Sequence, residues 1–117
     1  MRKKSWLAVA LILASITPIM ADNHSDAKAQ VEFGIAVAQK GLWKEALVRW
    51  KKATDMDKNY AAAWNDLAIA YEQLGQFSQA REAYDRALQL AKNDSTILQN
   101  YAQFRDIYDR QNRRQTK

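Results

Sequence analysis

The sequence predicts an all-α protein built from repeated helical hairpins, and three observations support this fold class. The 117 residues contain three glycines and one proline, which favours long helices over a loop-rich fold. From about residue 27 onward, apolar residues recur at spacings of three and four, the period of an amphipathic helix. The same pattern returns after 34 residues, and no run alternates apolar and polar residues as a half-buried strand does.

The repeat is visible when residues 27–60 are compared with residues 61–94. Identical pairs include Ala27/Ala61, Ile35/Ile69, Ala36/Ala70, Gln39/Gln73, Gly41/Gly75, Ala46/Ala80, Ala53/Ala87, Lys58/Lys92 and Asn59/Asn93. Average composition would give about two such matches by chance. Each unit is too small to bury its own apolar face, so the units are expected to stack on one another.

Small residues mark where helices end or touch within each unit. Gly41 and Gly75 fall where the first helix stops, and we expect both to adopt the left-handed conformation that glycine takes without strain. Gly34 and Ala68 lie inside the first helices, where we expect a close approach of the second helix. The sequence therefore predicts two helical hairpins of the same design.

A fifth helix is predicted over 95–111, because its apolar residues follow the helical period. No second helix follows it, so we interpret it as a cap on the stack. Asn59 and Asn93 are predicted to cap the helices that begin after each unit. Residues 112–117 form a polar, basic tail that we expect to fray.

The N-terminus has the pattern of a secretory signal peptide. A basic start, Arg2 to Lys4, precedes an apolar run that Pro18 ends, and Ala21 supplies a small residue at a cleavage position. We predict a signal peptide over 1–21, followed by a flexible segment over 22–26. The alternative is a retained N-terminal anchor. Export, most simply to a bacterial periplasm, is the expected localisation, and an extracellular destination remains open.

Composition argues against most kinds of chemistry. The chain has no cysteine, and His24 is its one histidine, so we expect no disulfide, no metal site and no cofactor. No motif places a nucleophile, base or phosphate loop together, and we predict that the protein is not an enzyme. The formal charge of +5 comes from the two ends, since residues 22–104 carry −1, and we expect no nucleic-acid partner.

The second unit resembles a tetratricopeptide repeat, and the likeness extends over about 27–108. The residues that carry it are Trp64, Leu67, Ala68, Tyr71, Gly75, Ala80, Tyr84 and Ala87. The first unit departs from the family pattern with Gln30 in place of tryptophan, and Lys58 and Lys92 replace the closing proline. The resemblance implies an α-solenoid of about two and a half repeats, with units 27–60 and 61–94 and a cap helix over 95–111.

The resemblance also implies a concave groove, lined by the first helices, that holds a peptide or a partner helix. Carried onto this sequence, the groove residues are Lys28, Val31, Ile35, Asn65, Ile69, Glu72, Gln99 and Gln103. Some relatives grip a peptide carboxylate with basic and amide side chains, and the corresponding positions here are Val31, Ile35, Asp66, Thr96 and Asn100. That clamp is absent, so an apolar segment seated at Val31, Ile35 and Ile69 is the expected ligand.

We interpret the chain as a non-catalytic adaptor in the cell envelope that binds a protein or peptide partner. Three alternatives stay open at this point. The apolar ends of so short a stack could meet in a homodimer or longer assembly, and the N-terminal segment could itself close the groove. The basic tail, which begins near Arg105, could associate weakly with an envelope surface. Otherwise, we expect membrane contact only through the signal peptide.

Overall fold

A computed structural model describes the backbone from residue 19 to residue 117 and the side chains from residue 23 onward. Within this part of the chain it contains five helices and no strand, which confirms the all-α class. The helices are α1 (Ile19–Ala38), α2 (Trp43–Met56), α3 (Ala61–Gln73), α4 (Phe77–Leu90) and α5 (Ser95–Gln115). The predicted signal peptide lies almost wholly outside the described residues.

The helices form two hairpins and a terminal helix. α1 packs against α2 and α3 against α4, while α2 also contacts α3, and α5 packs against α4 and touches α3. Ala46 and Ala80 are fully buried at equivalent positions of the two hairpins, and so are Ala53 and Ala87 two turns later. Small side chains at these positions let the helices approach closely, as the repeat predicts.

The close approach within the first hairpin depends on Gly34. A Cβ atom added there would lie 2.3 Å from Nε1 of the Trp50 indole. The indole Nε1–H donates to the carbonyl oxygen of Val31 at 3.1 Å, which fixes the ring over the glycine. In the second hairpin Ala68 and Tyr84 occupy the equivalent positions, and both are buried. The predicted need for small residues here is confirmed.

Both hairpin turns use glycine in the left-handed conformation, as expected. The φ angles are +77° at Gly41 and +73° at Gly75. The residue after each glycine donates its backbone N–H to the carbonyl oxygen five residues earlier. Leu42 donates to Val37 at 3.1 Å, and Gln76 donates to Tyr71 at 2.8 Å. These bonds satisfy carbonyl groups that a helix end leaves without a partner.

The structure differs from the flexible segment expected over 22–26, because α1 begins at Ile19 and continues through these residues. His24 Nδ1 lies 2.5 Å from Oδ2 of Asp57, and its ring meets the Tyr60 ring edge-on at 5.0 Å. The start of α1 therefore packs on the α2–α3 turn. The polar composition of the segment does not indicate these contacts.

The fifth helix also runs further than predicted, to Gln115 instead of residue 111. No glycine or proline follows residue 94, and Arg110 pairs with Asp106 one turn earlier at 2.5 Å. Thr116 then bonds back to carbonyls of the last turn. Most of the tail expected to fray is therefore helical.

Asparagine does not cap the helices as predicted. α5 is capped by Asp94, whose Oδ1 accepts from the backbone N–H of Ile97 at 3.1 Å. α3 begins after Tyr60 and has no side-chain cap. Asn59 instead donates its backbone N–H to Oδ1 of Asp57, so a carboxylate organises this turn as well. Asp94 therefore takes the capping role expected of Asn93, and no side chain takes the role expected of Asn59.

Candidate functional site

The candidate site is the solvent-facing side of the first helices α1, α3 and α5, which we call the inner face. Its α3 part is the row Ala62, Asp66, Ile69 and Gln73, whose spacings of three and four place them on one side of the helix. The remaining predicted groove residues flank this row or lie on the neighbouring helices. They are Lys28, Val31 and Ile35 on α1, Asn65 and Glu72 on α3, and Gln99 and Gln103 on α5.

Two isoleucines provide the accessible apolar surface of the inner face. Ile35 is 42% exposed, and Ile69, at the same position of the next repeat, is half-buried and packs against the core. Lys28, Gln99 and Gln103 are exposed around them. An exposed aliphatic side chain on a repeat surface that is otherwise polar is a place where a partner could gain burial.

Val31 does not belong to this apolar surface. Its side chain is only 6% exposed and lies in the core, while its carbonyl oxygen holds the Trp50 indole. The expectation of an exposed apolar seat at Val31, Ile35 and Ile69 therefore reduces to the two isoleucines. Val31 is thus a core residue at the edge of the inner face.

Asn65 and Glu72 are tied to neighbouring helices. Asn65 Oδ1 accepts a hydrogen bond from Nδ2 of Asn100 at 3.1 Å, which joins α3 to α5. The Tyr84 hydroxyl donates to Oε2 of Glu72 at 3.0 Å. Burial raises the pKa of the Glu72 carboxyl, and the bond from Tyr84 opposes that rise. Both side chains therefore stabilise the stack, whatever else they contact.

Asp66 is the inner-face residue that sequence reasoning passed over. Burial raises the pKa of its carboxyl from 3.8 to about 6, against the lowering effect of a hydrogen bond from Asn65. That bond is long, with Asn65 Nδ2 3.4 Å from Oδ1. The sequence shows Asp66 only as a departure from the carboxylate clamp, because burial cannot be read from one sequence. A perturbed carboxyl at a surface groove is a candidate binding residue.

A cleft of about 330 Å³ lies on the other side of α3, between α2 and α4. Its floor is formed by Trp64, Leu67 and Tyr71, and charged side chains of α2 and α4 surround it. The Trp64 indole is fixed by donating to the carbonyl of Lys58 at 2.9 Å. These floor residues hold the two hairpins together, so packing between units accounts for the cleft.

Two further findings concern the described residues only. No group of three or more His, Asp or Glu side chains there is arranged to hold a metal ion. None of the five helices combines the length and the apolar character needed to cross a membrane.

Comparison with known protein families identifies the repeat. A model described as "Tetratricopeptide repeat" matches residues 61–94, and one described as "TPR repeat" matches residues 34–75. The chain belongs to the tetratricopeptide repeat family. Repeats of this family are modules for protein–protein interaction and are generally non-catalytic. The family assignment agrees with the residues that carry the motif in the second unit.

Two relatives have similar sequences over more than half of the chain. An uncharacterized protein of Methanocaldococcus jannaschii is 32% identical over 74 residues, which cover 63% of this chain and 86% of that protein. An uncharacterized protein of Haemophilus influenzae is 32% identical over 83 residues, covering 70% of this chain. The match spans only 46% of the Haemophilus protein.

Proposed function

We propose that this protein is a non-catalytic adaptor of the cell envelope that holds a segment of another protein against its inner face. The observation that carries the proposal is Ile35, an aliphatic side chain 42% exposed at the repeat position where Ile69 is half-buried. Each square ångström of apolar surface removed from water contributes about 25 cal/mol. A partner side chain seated between the two isoleucines gains that burial from both.

The rigid helices support this mode of binding. The hairpins are closed by glycine turns and by buried alanines, so the inner face exists before a partner arrives. A preformed surface leaves most of the ordering cost with the bound segment alone. Binding of an extended or helical segment then requires no rearrangement of the repeats.

The envelope location rests on the N-terminal sequence pattern. Mass spectrometry of the protein from its host tests it directly, with Asp22 expected as the first residue of the mature chain. A mature chain that still begins with the basic start would favour the retained anchor instead. Cleavage after Ala21 would fall within α1 and remove its first three residues, Ile19 to Ala21.

Photocrosslinking in the native host tests the groove. A photoreactive residue at position 35 is expected to capture a discrete partner, because this side chain faces solvent on the inner face. The matched control is position 48 on α2, where Val48 is 62% exposed. The same captured proteins at both positions would contradict a specific groove.

A variant pair tests the same proposal by affinity. Ile35→Glu combined with Ile69→Glu is expected to abolish capture, since two carboxylates replace the apolar seat. Ile35→Glu alone, at the more exposed site, keeps the test informative if the double variant is unstable. Val48→Glu is the control and should leave capture unchanged. Circular dichroism must show native helix content, and capture that persists in the folded double variant would exclude the inner face.

A second candidate function is self-assembly of the stack, which apolar side chains at both ends favour. Phe33 is 46% exposed beside Arg49, whose guanidinium lies 4.2 Å from the ring centroid, and Leu98 is 45% exposed on α5. Contact between unlike ends would form a head-to-tail chain of copies. Light scattering is expected to show mass rising with concentration, and Leu98→Glu should reduce it. A monomer at all concentrations would exclude this function.

A further inference from the structure

The inner face has a carboxylate without a cation. Asp66 is half-buried, and its one side-chain hydrogen bond among the described residues is the long contact from Asn65. The ion pairs of the described residues join His24 to Asp57, Arg49 to Glu45, and Arg110 to Asp106. None of them includes Asp66. A desolvated charge without a partner destabilises the fold, so its presence on a binding surface suggests that something else supplies the partner.

The repeat shows what is missing at this position. Asn100 stands one repeat after Asp66, and its amide donates to Asn65 at 3.1 Å. The residue one repeat before Asn65 is Val31, whose side chain has no polar atom. The position that supplies a hydrogen-bond partner between α3 and α5 therefore supplies none between α1 and α3.

The charges around Asp66 favour a cation as the missing partner. Two hydroxyls lie within the electrostatic reach of Asp66, that of Tyr60 in the α2–α3 turn and that of Tyr84 on α4. Tyr60 is also influenced by Glu32 on α1 and by Asp57, which pairs with His24. The electrostatic influence of Asp66, Glu32 and Asp57 raises the pKa of Tyr60, after the larger effect of burial.

The neighbouring groups on α3 and α5 add no positive charge beside Asp66. Glu72 lies on α3 itself and also carries a raised pKa, and α5 contributes the neutral Asn100. Lys28 is the one base among the groove residues, and it is exposed and forms none of the described ion pairs. A carboxylate of a bound segment would be repelled here, whereas an ammonium or guanidinium group would be attracted.

We propose that the inner face selects a protein segment carrying a lysine or arginine, whose cation pairs with the Asp66 carboxylate while aliphatic neighbours in the segment pack on Ile35 and Ile69. This inference rests on the proposed groove function and adds the chemistry of the ligand. Ile69 lies one turn from Asp66 on α3, so the cationic and aliphatic contacts are adjacent. A charge-assisted hydrogen bond gives the groove a specificity that two isoleucines lack.

Selection from a displayed library of random short peptides tests the inference and does not require the natural partner to be identified first. The bait is the chain purified in the form that its host produces, either unchanged or as Asp66→Asn. The matched control bait is Asp55→Asn, an exposed aspartate on α2. Peptides from the unchanged and control baits are expected to be enriched in lysine or arginine next to aliphatic residues, and those from Asp66→Asn are not.

The selected peptides then provide quantitative tests. Affinity should fall by about tenfold to a hundredfold on Asp66→Asn, the range for a hydrogen bond to a charged group. Replacing the peptide lysine by norleucine should cause a similar loss. Carbon NMR of the Asp66 carboxyl should show its pKa falling when a peptide binds, which a purely structural role would not produce.

The outcomes separate the inference from the proposed function. Peptides that lose binding on Ile35→Glu but show no basic enrichment overturn the cation pairing and leave the groove function standing. Peptides that bind Asp66→Asn as tightly as they bind the unchanged chain also overturn the cation pairing and leave the groove function standing. Peptides that are insensitive to Ile35→Glu overturn both, because the inner face is then not where they bind.

Discussion

The positions of α3 that correspond by repeat register to its contact with α5 and to its side toward α1 carry different chemistry. Toward α5, Asn65 and Asn100 form a neutral hydrogen bond, and each amide gains a partner. At the equivalent positions toward α1, Val31 is buried and Asp66 has no strong partner. Because the repeats share one register, the Asn65–Asn100 hydrogen bond shows which kind of partner Asp66 lacks. The difference indicates that the charged Asp66 carboxylate lowers the stability of the fold.

The hairpins beneath these positions differ as well. The first hairpin packs Trp50 onto Gly34, and the second has buried Tyr84 and Ala68 at the equivalent positions. The Tyr84 ring continues into aromatic contacts with Tyr101 at 5.6 Å, measured between ring centroids. Aromatic packing and an amide pair therefore join the second hairpin to α5. In the first hairpin, the close approach of α1 and α2 at Trp50 requires glycine at position 34.

The largest expected effect is that of Gly34→Ala, which breaks the first hairpin alone. The new Cβ would lie 2.3 Å from the Trp50 indole, which cannot move without losing its bond to Val31. Overpacking of this kind costs about 3 kcal/mol of the free energy of unfolding. Urea titration measures the loss, and Ala68→Gly is the matched change in the second hairpin, with an expected cost of about 1 kcal/mol.

A second variant checks the cause of that loss. Gly34→Ala combined with Trp50→Tyr reproduces the residue pair of the second hairpin and should recover part of the lost stability. If the double variant is no more stable than Gly34→Ala alone, the clash with the indole is not the reason for the damage.

The next effect is stabilisation by Asp66→Asn at neutral pH. The folded-state pKa of Asp66 is about 6, above its ordinary value of 3.8, so the folded state binds more protons between these values. The favourable contribution of this group is complete below about pH 4 and is lost as the pH rises through 6. A shift of about two units corresponds to about 3 kcal/mol at most. Unfolding of both proteins across this pH range measures it.

The sign of the pH dependence provides the control. The stability difference between Asp66→Asn and the unchanged chain should grow from low pH to pH 7. Asp55→Asn, which makes the same change of charge at an exposed position of α2, is the matched variant. A constant difference across the range would mean that Asp66 titrates normally in the folded state.

The smallest expected change is that in the pKa of Asp66 when Val31→Asn copies the α3–α5 pair into the first repeat. The variant also places an amide in the core, which has its own cost to stability. The new amide gives Asp66 a donor, so the pKa of that carboxyl should fall by about one unit. NMR titration of the carboxyl carbon measures the change. Binding of basic peptides should weaken at the same time, because the position is now satisfied within the chain. An unchanged pKa would show that Val31 is not the source of the missing partner.

The features that depend on local geometry could be predicted from the sequence. Gly41 and Gly75 end their helices in the left-handed conformation, as their spacing indicates, and Gly34 provides the close approach. Each of these follows from the chain near it and from the repeat period.

The features that depend on packing between distant segments could not be predicted. The extension of α1 through His24 is accompanied by contacts with the α2–α3 turn, and the burial of Val31 in the core is a property of the folded stack. The unusual character of Asp66 is likewise a property of its surroundings, since an aspartate in a helical repeat is otherwise ordinary. The repeat register assigns the positions of the predicted groove residues. The exposure of their side chains could not be predicted from the sequence.

The exposed lysines of α2 have a kinetic consequence. Lys44, Lys51 and Lys52 lie on the second helix of the first hairpin, whereas Glu32 lies on α1 and Asp66 on α3. Arginines cluster toward the end of α5, from Arg105 to Arg114. A positively charged segment is repelled by the α2 side and by the end of α5, and it is attracted to the part of the inner face around Asp66. Capture should therefore be fastest in dilute buffer and slow down as added salt shortens the reach of this field.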